Sequence, residues 1–186
     1  AITALAQMLA EELDVAPDVI DMLMGDTSLC PYDRGTVGSQ SIRSFGPPLR
    51  AAGAQGRQVL LELAAERLQK PVKNLVTENG IVIDSTNRQN HISYAQLAQG
   101  KKIVRQLKEK AAIKKPSDFK VIGKPFLRRD AREKVTGQAK YTGDIQLPGM
   151  LYAKILRPPA HGAKLLDVDL SAAKNVPGVE IVRDAD

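Results

Sequence analysis

The sequence is poor in aromatic residues, cysteine and histidine. Its 186 residues include three Phe, four Tyr and no Trp, so Leu, Val, Ile and Ala must supply the core. Few aromatic rings also disfavour the stacking platforms that bind single-stranded nucleic acid. The single Cys30 excludes an internal disulfide, an iron–sulfur cluster and a CxxC metal site. Because His91 and His161 are isolated, we expect no zinc centre and no metal ligand in this chain.

Long hydrophobic runs and a recognisable signal peptide are also missing. No run of about eighteen apolar residues occurs, so no membrane span is predicted. The chain opens on "AITALAQMLAEELDV", without Met and already within a helical pattern. From this we expect a piece of a longer polypeptide, whose compartment, cytoplasmic or periplasmic, the sequence leaves open.

Positive charge is concentrated in one segment. The net charge is +6, but residues 101–134 hold thirteen Lys or Arg and four acids, which gives this stretch +9 and the remainder −3. One hypothesis is a non-catalytic module whose basic segment binds an acidic protein or nucleic acid. Pro, Ala and acids interrupt the lysines and no DNA-binding motif is present, so we favour a linker or exposed helix over 101–118 and expect no nucleic-acid partner.

Periodicity in the first half predicts a helix, a strand, a loop and a long helix. Apolar residues spaced by three and four predict a helix over 3–13, with Thr3 as its cap. An apolar run predicts a strand over 19–24. A second helical pattern runs to Leu68, with Pro47 and Pro48 expected in its first turn.

The acids of the first helix are expected to lie in solvent. Glu11, Glu12 and Asp14 share about one helical turn, but neighbouring acids on a helix point to different sides. The pattern therefore indicates hydration and no paired-carboxylate site.

Turn signals organise the second half. "LVTENGIVID" predicts a hairpin at Asn79-Gly80, and "HISYAQLAQG" predicts a short strand leading into a helix capped by Ser93 and stopped by Gly100. Beyond the basic segment, "AKYTGDIQLPGMLYAKILRPP" predicts strands in which apolar and polar residues alternate. "AKLLDVDLSAAKNVPGVEIVRD" predicts a strand, a helix capped by Ser171, a Pro177-Gly178 turn and a strand. The class predicted is α+β.

The stretch "RGTVGSQSIRSFG", residues 34–46, is the strongest candidate for ligand binding. It holds three Ser, one Thr, three Gly and two Arg, with no acid, directly ahead of the long helix. Hydroxyls and backbone N–H groups at a helix start can surround an anionic group. A capped loop without a ligand has the same composition, so both interpretations stand on pattern alone.

Two stretches resemble one enzyme family. The motifs "EKVTGQAKYTGDI", "LPGMLYAKILRPP" and "VPGVEIV" resemble the a/b hammerhead domain of the xanthine dehydrogenase and aldehyde oxidase family of molybdenum hydroxylases. The stretch "ALAQMLAEELDVAPDVIDMLMGDTSLCPYDRGTVGSQSIRSFGPPLRAA" is similar to a segment of the same family's large subunit that lies on the molybdopterin. Here the hammerhead follows the cofactor segment, an order similar to the isoquinoline 1-oxidoreductase beta-subunit type.

The resemblance implies a domain plan. It divides the chain into part of a molybdopterin-binding domain (1–110), with the order helix, strand, loop, long helix and hairpin, a linker (111–124) and an incomplete hammerhead-like domain (125–186). It further implies molybdopterin as cofactor, in its cytosine dinucleotide form. The residues expected to contact it are Thr36, Val37, Gly38, Ser39, Gln40 and Ser41.

The resemblance also implies which parts of the enzyme are not in this chain. The family's Gly-Gln-Gly turn would precede Ala1, and its glutamate base belongs to a C-terminal region, so no catalytic residue is expected here. The full-length subunit would oxidise an N-heteroaromatic or aldehyde substrate with oxygen from water and pass electrons to an iron–sulfur small subunit. The isolated fragment is expected to be inactive and to bind no cofactor.

Overall fold

The computed structural model describes residues 1–105 and 110–183, and this part of the chain contains both helices and an antiparallel sheet. The chain divides into two units, Ala1–Ala139 and Lys140–Asp186. Helices and sheet occur together in the first unit, so the predicted α+β class is confirmed. Within the described ranges, no helix has the length and apolar character needed to cross a membrane.

Helices α1 (Ile2–Leu13) and α2 (Ser41–Leu68) form the framework of the first unit. They pack closely because glycine lies between them: a Cβ added at Gly53 would sit 2.9 Å from the Cβ of Glu12. Both predicted helices are confirmed. Thr3 does not cap α1, however, because the helix begins one residue earlier and its first turn already contains this threonine.

The start of α2 lies earlier than the sequence pattern indicates. The helix begins at Ser41 and carries Pro47 and Pro48 in its interior, so their predicted place in the first turn is wrong. Proline has no N–H, and the carbonyl groups of Arg43 and Ser44 therefore receive no α-helical hydrogen bond. Both of those residues are exposed, and water can satisfy their carbonyl groups.

A three-stranded antiparallel sheet in the order β1-β2-β3 follows α2. Its strands are β1 (Leu75–Glu78), β2 (Ile81–Asp84) and β3 (Asn87–Ser93). Asn79 and Gly80 have φ angles of 48° and 76°, as a two-residue hairpin turn requires, so the predicted hairpin is confirmed. The sheet packs on the C-terminal half of α2. The buried members of this core are Ala64, Leu75, Val82 and Leu97.

Helix α3 (Tyr94–Ala98) follows directly from β3. The Ser93 hydroxyl accepts the N–H of Gln96 at 3.2 Å, and the Gln96 side chain accepts the N–H of Ser93 at 2.9 Å. These two bonds form a capping box. The predicted cap is confirmed. The helix ends slightly before the predicted stop at Gly100: its last residue is Ala98, and Gln99, with φ of 49°, is the left-handed C-cap.

The connection between α1 and α2 contains no strand in the part of the chain that is described. A 3₁₀ turn forms at Pro17–Val19 and residues 20–24 have no regular structure, so the predicted strand over 19–24 is wrong. Val19 and Leu23 are 68% and 63% exposed, and this segment is not part of the three-stranded sheet. An apolar run without a partner strand has nothing to complete its hydrogen-bond ladder.

Residues 111–124, expected as a linker, belong to the first unit and lie along α1. Apart from one 3₁₀ turn at Pro116–Asp118, the described residues of the range 101–118 form no helix. The prediction for residues 106–109 lies outside the described residues. Farther on, the N–H of Arg129 donates to the Thr3 hydroxyl at 3.1 Å, and helix α4 (Ala131–Val135) follows.

The second unit contains little regular structure. Its elements are a 3₁₀ turn at Thr142–Asp144 and helix α5 (Ser171–Lys174). No strand forms among residues 140–183, so the strands predicted there are wrong. Leu151 and Leu166 are 63% and 92% exposed, which shows that the alternating apolar residues meet no opposing layer in this unit.

Local turn chemistry in the second unit is as expected, with one change. Gly178 has φ of 80°, and the N–H of Val179 donates to the carbonyl of Val176 at 3.3 Å, which confirms the Pro177-Gly178 turn. Ser171 is the first helical residue of α5 and not its cap. The carboxylate of Asp169 accepts the Ser171 N–H at 2.9 Å instead.

Candidate functional site

Residues 36–41 form an exposed turn that leads into α2. The N–H of Gln40 donates to the carbonyl of Val37 at 3.2 Å, and Gly38 and Ser39 between them have φ angles of 56° and 57°. Two successive left-handed residues are the geometry of a type I′ turn. Residues 36–40 are all exposed, so the turn is accessible to a ligand.

A hydroxyl pair closes this turn onto the helix. The Thr36 Oγ1 and Ser41 Oγ atoms lie 2.6 Å apart, and either can be the donor. Ser41 is only 7% exposed, whereas Thr36 is at the surface. The pair therefore fixes the two ends of the turn to each other, and the exposed Ser39 hydroxyl at the tip can face a ligand.

The first turn of α2 adds positive electrostatic potential. Gln40 is its N-cap, and among the described residues no side chain caps the helix. The N–H groups of a first turn point out of the helix, and the macrodipole of this long helix favours negative charge there. Arg34 and Arg43 flank the turn and both are exposed. The nearest acid in sequence, Asp33, accepts the N–H of Gly35 at 2.5 Å.

The chemistry of these donors suits an anion or the polar edge of a heterocycle. The turn offers the hydroxyls of Thr36, Ser39 and Ser41 together with the N–H groups of a helix start, and little side-chain bulk. Gly38 is open: a Cβ there would meet nothing closer than the Gln40 side chain at 3.5 Å. Because the turn is exposed, a cofactor bound here would need walls from other polypeptide segments.

The acids of α1 occupy a quite different environment from the one predicted. Glu11 and Glu12 are fully buried, so the expectation that they are hydrated is wrong. The Glu12 Oε1 atom accepts hydrogen bonds from Arg50 at 2.6 and 2.9 Å, and Lys114 Nζ lies 2.5 Å from Asp14 Oδ1. These pairs explain how the carboxylates tolerate burial.

Backbone donors complete the environment of Glu11. Its Oε2 atom accepts three successive N–H groups, at 2.9, 2.6 and 3.0 Å, from Lys120, Val121 and Ile122. Burial by itself raises the pKa of Glu11, but the donors of residues 121 and 122 and the Lys114 ammonium outweigh it, and the pKa lies below its ordinary value. A sequence signal for this carboxylate cluster is weak, because Arg50 lies 38 residues from Glu12 and the donors to Glu11 and Asp14 from Lys114 and Lys120 lie 100 residues or more away.

The residues considered for metal or nucleophile roles are dispersed. The Cys30 thiol donates weakly to the carbonyl of Leu23 at 3.5 Å. His91 lies on β3, an edge strand, and His161 is exposed. Across residues 1–105 and 110–183, no group of three or more His, Cys, Asp or Glu could hold a metal ion.

Comparison with protein-family models gives two matches in succession. Residues 1–143 match the molybdopterin cofactor-binding domain, and residues 136–186 match the a/b hammerhead domain of aldehyde oxidase and xanthine dehydrogenase. The chain belongs to the xanthine dehydrogenase/aldehyde oxidase family. The two predicted types of domain and their order are thereby confirmed.

Individual relatives agree with this assignment. A nicotinate dehydrogenase subunit of Pseudomonas putida is 38% identical over 188 residues, which cover 97% of this chain and 16% of the relative. The beta subunit of isoquinoline 1-oxidoreductase from Brevundimonas diminuta is 32% identical over 219 residues, covering 97% of this chain and 28% of the relative. The nicotinate dehydrogenase large molybdopterin subunit of Eubacterium barkeri is 42% identical over 67 residues, which cover 36% of this chain and 16% of the relative. This chain thus spans less than a third of these relatives.

Proposed function

We propose that this chain contributes to the molybdopterin-binding subunit of a molybdenum hydroxylase, and that residues 36–41 contact the cofactor. The observation that carries the proposal is the succession of the two family matches over 1–143 and 136–186. The donor-rich, acid-free turn at the start of α2 supports the location of the contact. It is the part of the described first unit whose donors best suit an anionic cofactor.

The turn has three roles in this proposal. The first-turn N–H groups of α2 bind an anionic part of the cofactor, where the helix dipole favours negative charge. The Thr36–Ser41 hydroxyl pair holds the turn in shape, and Ser39 donates or accepts at its tip. When bound, molybdopterin supplies the redox chemistry by which the substrate is hydroxylated with oxygen from water. The residues of this chain bind and orient the cofactor.

The same proposal includes a substrate class, a partner subunit and a form of the cofactor. Relatives named for nicotinate and isoquinoline support an N-heteroaromatic substrate over an aldehyde. Because these relatives are named as subunits, we propose an iron–sulfur small subunit as the partner that accepts the electrons. A pyrophosphate would suit the N–H groups of α2, which favours the cytosine dinucleotide form of the cofactor.

The alternative of a nucleic-acid or acidic-protein module has less support. Several cations of the basic segment are engaged within the chain: Arg105 pairs with Glu66 at 2.9 Å, and Lys134 pairs with Asp130 at 2.7 Å. Lys114 is committed to the buried carboxylates of α1. Binding to phosphates would have to compete with these contacts.

The test is cofactor occupancy in the full-length protein, produced together with its partner subunit. A triple variant, Thr36→Val, Ser39→Gly and Ser41→Ala, removes the three hydroxyls. Glycine is chosen at Ser39 because its φ of 57° would strain a β-branched residue. Each cofactor acceptor left unpaired costs about 1–3 kcal/mol, or roughly fivefold to more than a hundredfold in affinity. We expect molybdenum and pterin content to fall together.

A matched control separates this loss from general damage. The double variant Ser28→Ala and Ser44→Ala removes exposed hydroxyls from the same connection and the same helix. It should retain normal molybdenum and pterin content. Full occupancy in a folded triple variant would show that residues 36–41 do not hold the cofactor.

A further inference from the structure

The stretch 112–129, which we name the strap, is attached to α1 and α2 chiefly through its own backbone. Four of its N–H groups donate to buried carboxylates: Lys114 donates to Glu12 Oε2 at 3.2 Å, and residues 120–122 donate to Glu11 Oε2 at 2.6–3.0 Å. Both carboxylates have no exposed surface. These N–H groups of the strap therefore have hydrogen-bond acceptors although they belong to no α-helix or sheet.

Side chains of α1 and α2 also donate hydrogen bonds to carbonyl groups of the strap. Arg57 donates to the carbonyl of Ala112 at 3.2 Å, and Arg50 donates to that of Lys114 at 2.7 Å. Gln7 donates to the carbonyls of residues 121 and 124 at 3.4 and 3.1 Å. The contacts progress from the C-terminal end of α1 to Thr3 at its start, so the strap runs antiparallel to the helix.

Few strap side chains take part. Lys114 reaches Glu11 and Asp14, at 3.3 and 2.5 Å, and the Arg50 guanidinium lies 4.9 Å from the centre of the Phe119 ring. The Arg129 guanidinium donates to the carbonyl of Pro17. By contrast Lys115, Ser117 and Lys120 are exposed, and Ile113 is 49% exposed. The strap is therefore held by its backbone together with three side chains, those of Lys114, Phe119 and Arg129.

We propose that this face of α1 and α2 is a binding surface for an extended peptide backbone, and that the strap is its releasable occupant. The apolar strap side chains Phe119, Val121 and Ile122 are only partly buried, whereas the members of the α2–sheet core are 0–8% exposed. A segment held by polar contacts and partly buried side chains has a lower free energy of local opening than the core. The α2–sheet core is apolar and shares none of the strap's carboxylate contacts. The strap accordingly detaches as one unit while the core stays folded, which exposes the carboxylates of Glu11 and Glu12 to solvent.

Hydrogen exchange on the full chain, read by mass spectrometry with peptide resolution, tests this. In the wild type, amides of residues 120–122 should be protected, but should open at lower denaturant concentration than the core amides of β2. Glu11→Gln removes the charge while keeping the size of the side chain. It should accelerate exchange in the strap by about tenfold or more and leave the β2 amides unchanged.

Matched strap variants complete the design. Lys115→Ala and Ser117→Ala change exposed strap side chains and should leave strap protection at the wild-type level. Three results would overturn the proposal: strap and core amides opening together in the wild type, no protection of residues 120–122, or release by Lys115→Ala as large as that by Glu11→Gln. The wild-type comparison decides the matter even if the Glu11 variant does not fold.

Discussion

Replacing Gly53 by alanine probes the close contact between α1 and α2, on which the position of the candidate site depends. The added Cβ would lie 2.9 Å from the Cβ of Glu12 and 3.0 Å from a methyl group of Leu9. The Glu12 Cβ is fixed to the α1 backbone, and its carboxylate is held by Arg50 at 2.6 Å, so the contact cannot relax by rotation of a side chain.

Two opposing effects determine how much Gly53→Ala changes the free energy of unfolding. Alanine improves helix propensity over glycine by about 1 kcal/mol. Overpacking costs about 1–3 kcal/mol, and a contact that cannot relax belongs in the upper part of that range. We therefore expect Gly53→Ala to lower the free energy of unfolding by about 1–2 kcal/mol. Urea unfolding monitored by circular dichroism gives this quantity if the slope of the transition is unchanged.

Gly56→Ala is the matched control on the same helix. Its added Cβ would meet only a methyl group of Leu13 at 3.6 Å, which is ordinary van der Waals contact. This variant should be as stable as the wild type, or more stable by up to about 1 kcal/mol. If Gly53→Ala proved as stable as Gly56→Ala, the close approach of the two helices described here would be refuted.

Two further predictions concern the hydrogen bonds that join the sheet and α3 to their neighbours. The Tyr94 hydroxyl donates to the carbonyl of Leu13 at 2.8 Å, so Tyr94→Phe should cost about 1 kcal/mol in urea unfolding, and an unchanged midpoint would argue against that bond. Hydrogen bonds from the Thr86 hydroxyl and N–H, together with Lys70, lower the pKa of Asp84 from 3.8 to about 2. Its ionised form therefore stabilises the fold fully above about pH 4, and this contribution is lost as the pH falls towards 2. Asp84→Asn should remove that part of the pH dependence in acid unfolding curves, and an unaltered curve would contradict the assignment.

Elements with strong local signals were predictable from the sequence. The Asn79-Gly80 hairpin depends on two left-handed residues, and the Ser93 capping box depends on side chains three residues apart. The long helix up to Leu68 depends on a repeated apolar spacing. In each case the information lies within a few turns of chain, so no knowledge of distant contacts was needed.

Elements that depend on distant partners were not predictable in the same way. The apolar run over 19–24 matched a strand pattern, but a strand needs a neighbour, and Val19 has none among the described strands. The charge pattern of Glu11 and Glu12 matched a solvated face, but the donors that make their burial possible come from Arg50 and from residues 114–122. Pairing over such separations cannot be read from local periodicity.

The candidate site was only partly accessible to sequence reasoning. Composition indicated that residues 36–41 could bind an anion, and the resemblance indicated which one. The structure adds the type I′ turn at Gly38-Ser39 and the 2.6 Å contact between the hydroxyls of Thr36 and Ser41. Neither feature follows from composition, because many loops have the same Ser- and Gly-rich composition but different backbone conformations.

A density map of the full-length, cofactor-loaded protein with its partner subunit is the decisive test of the contact between residues 36–41 and the cofactor. We expect hydroxyl or N–H groups of residues 36–41 within about 3.5 Å of polar atoms of the molybdopterin cofactor. A map with well-ordered cofactor and with this turn making no contact to it would show that these residues do not bind molybdopterin.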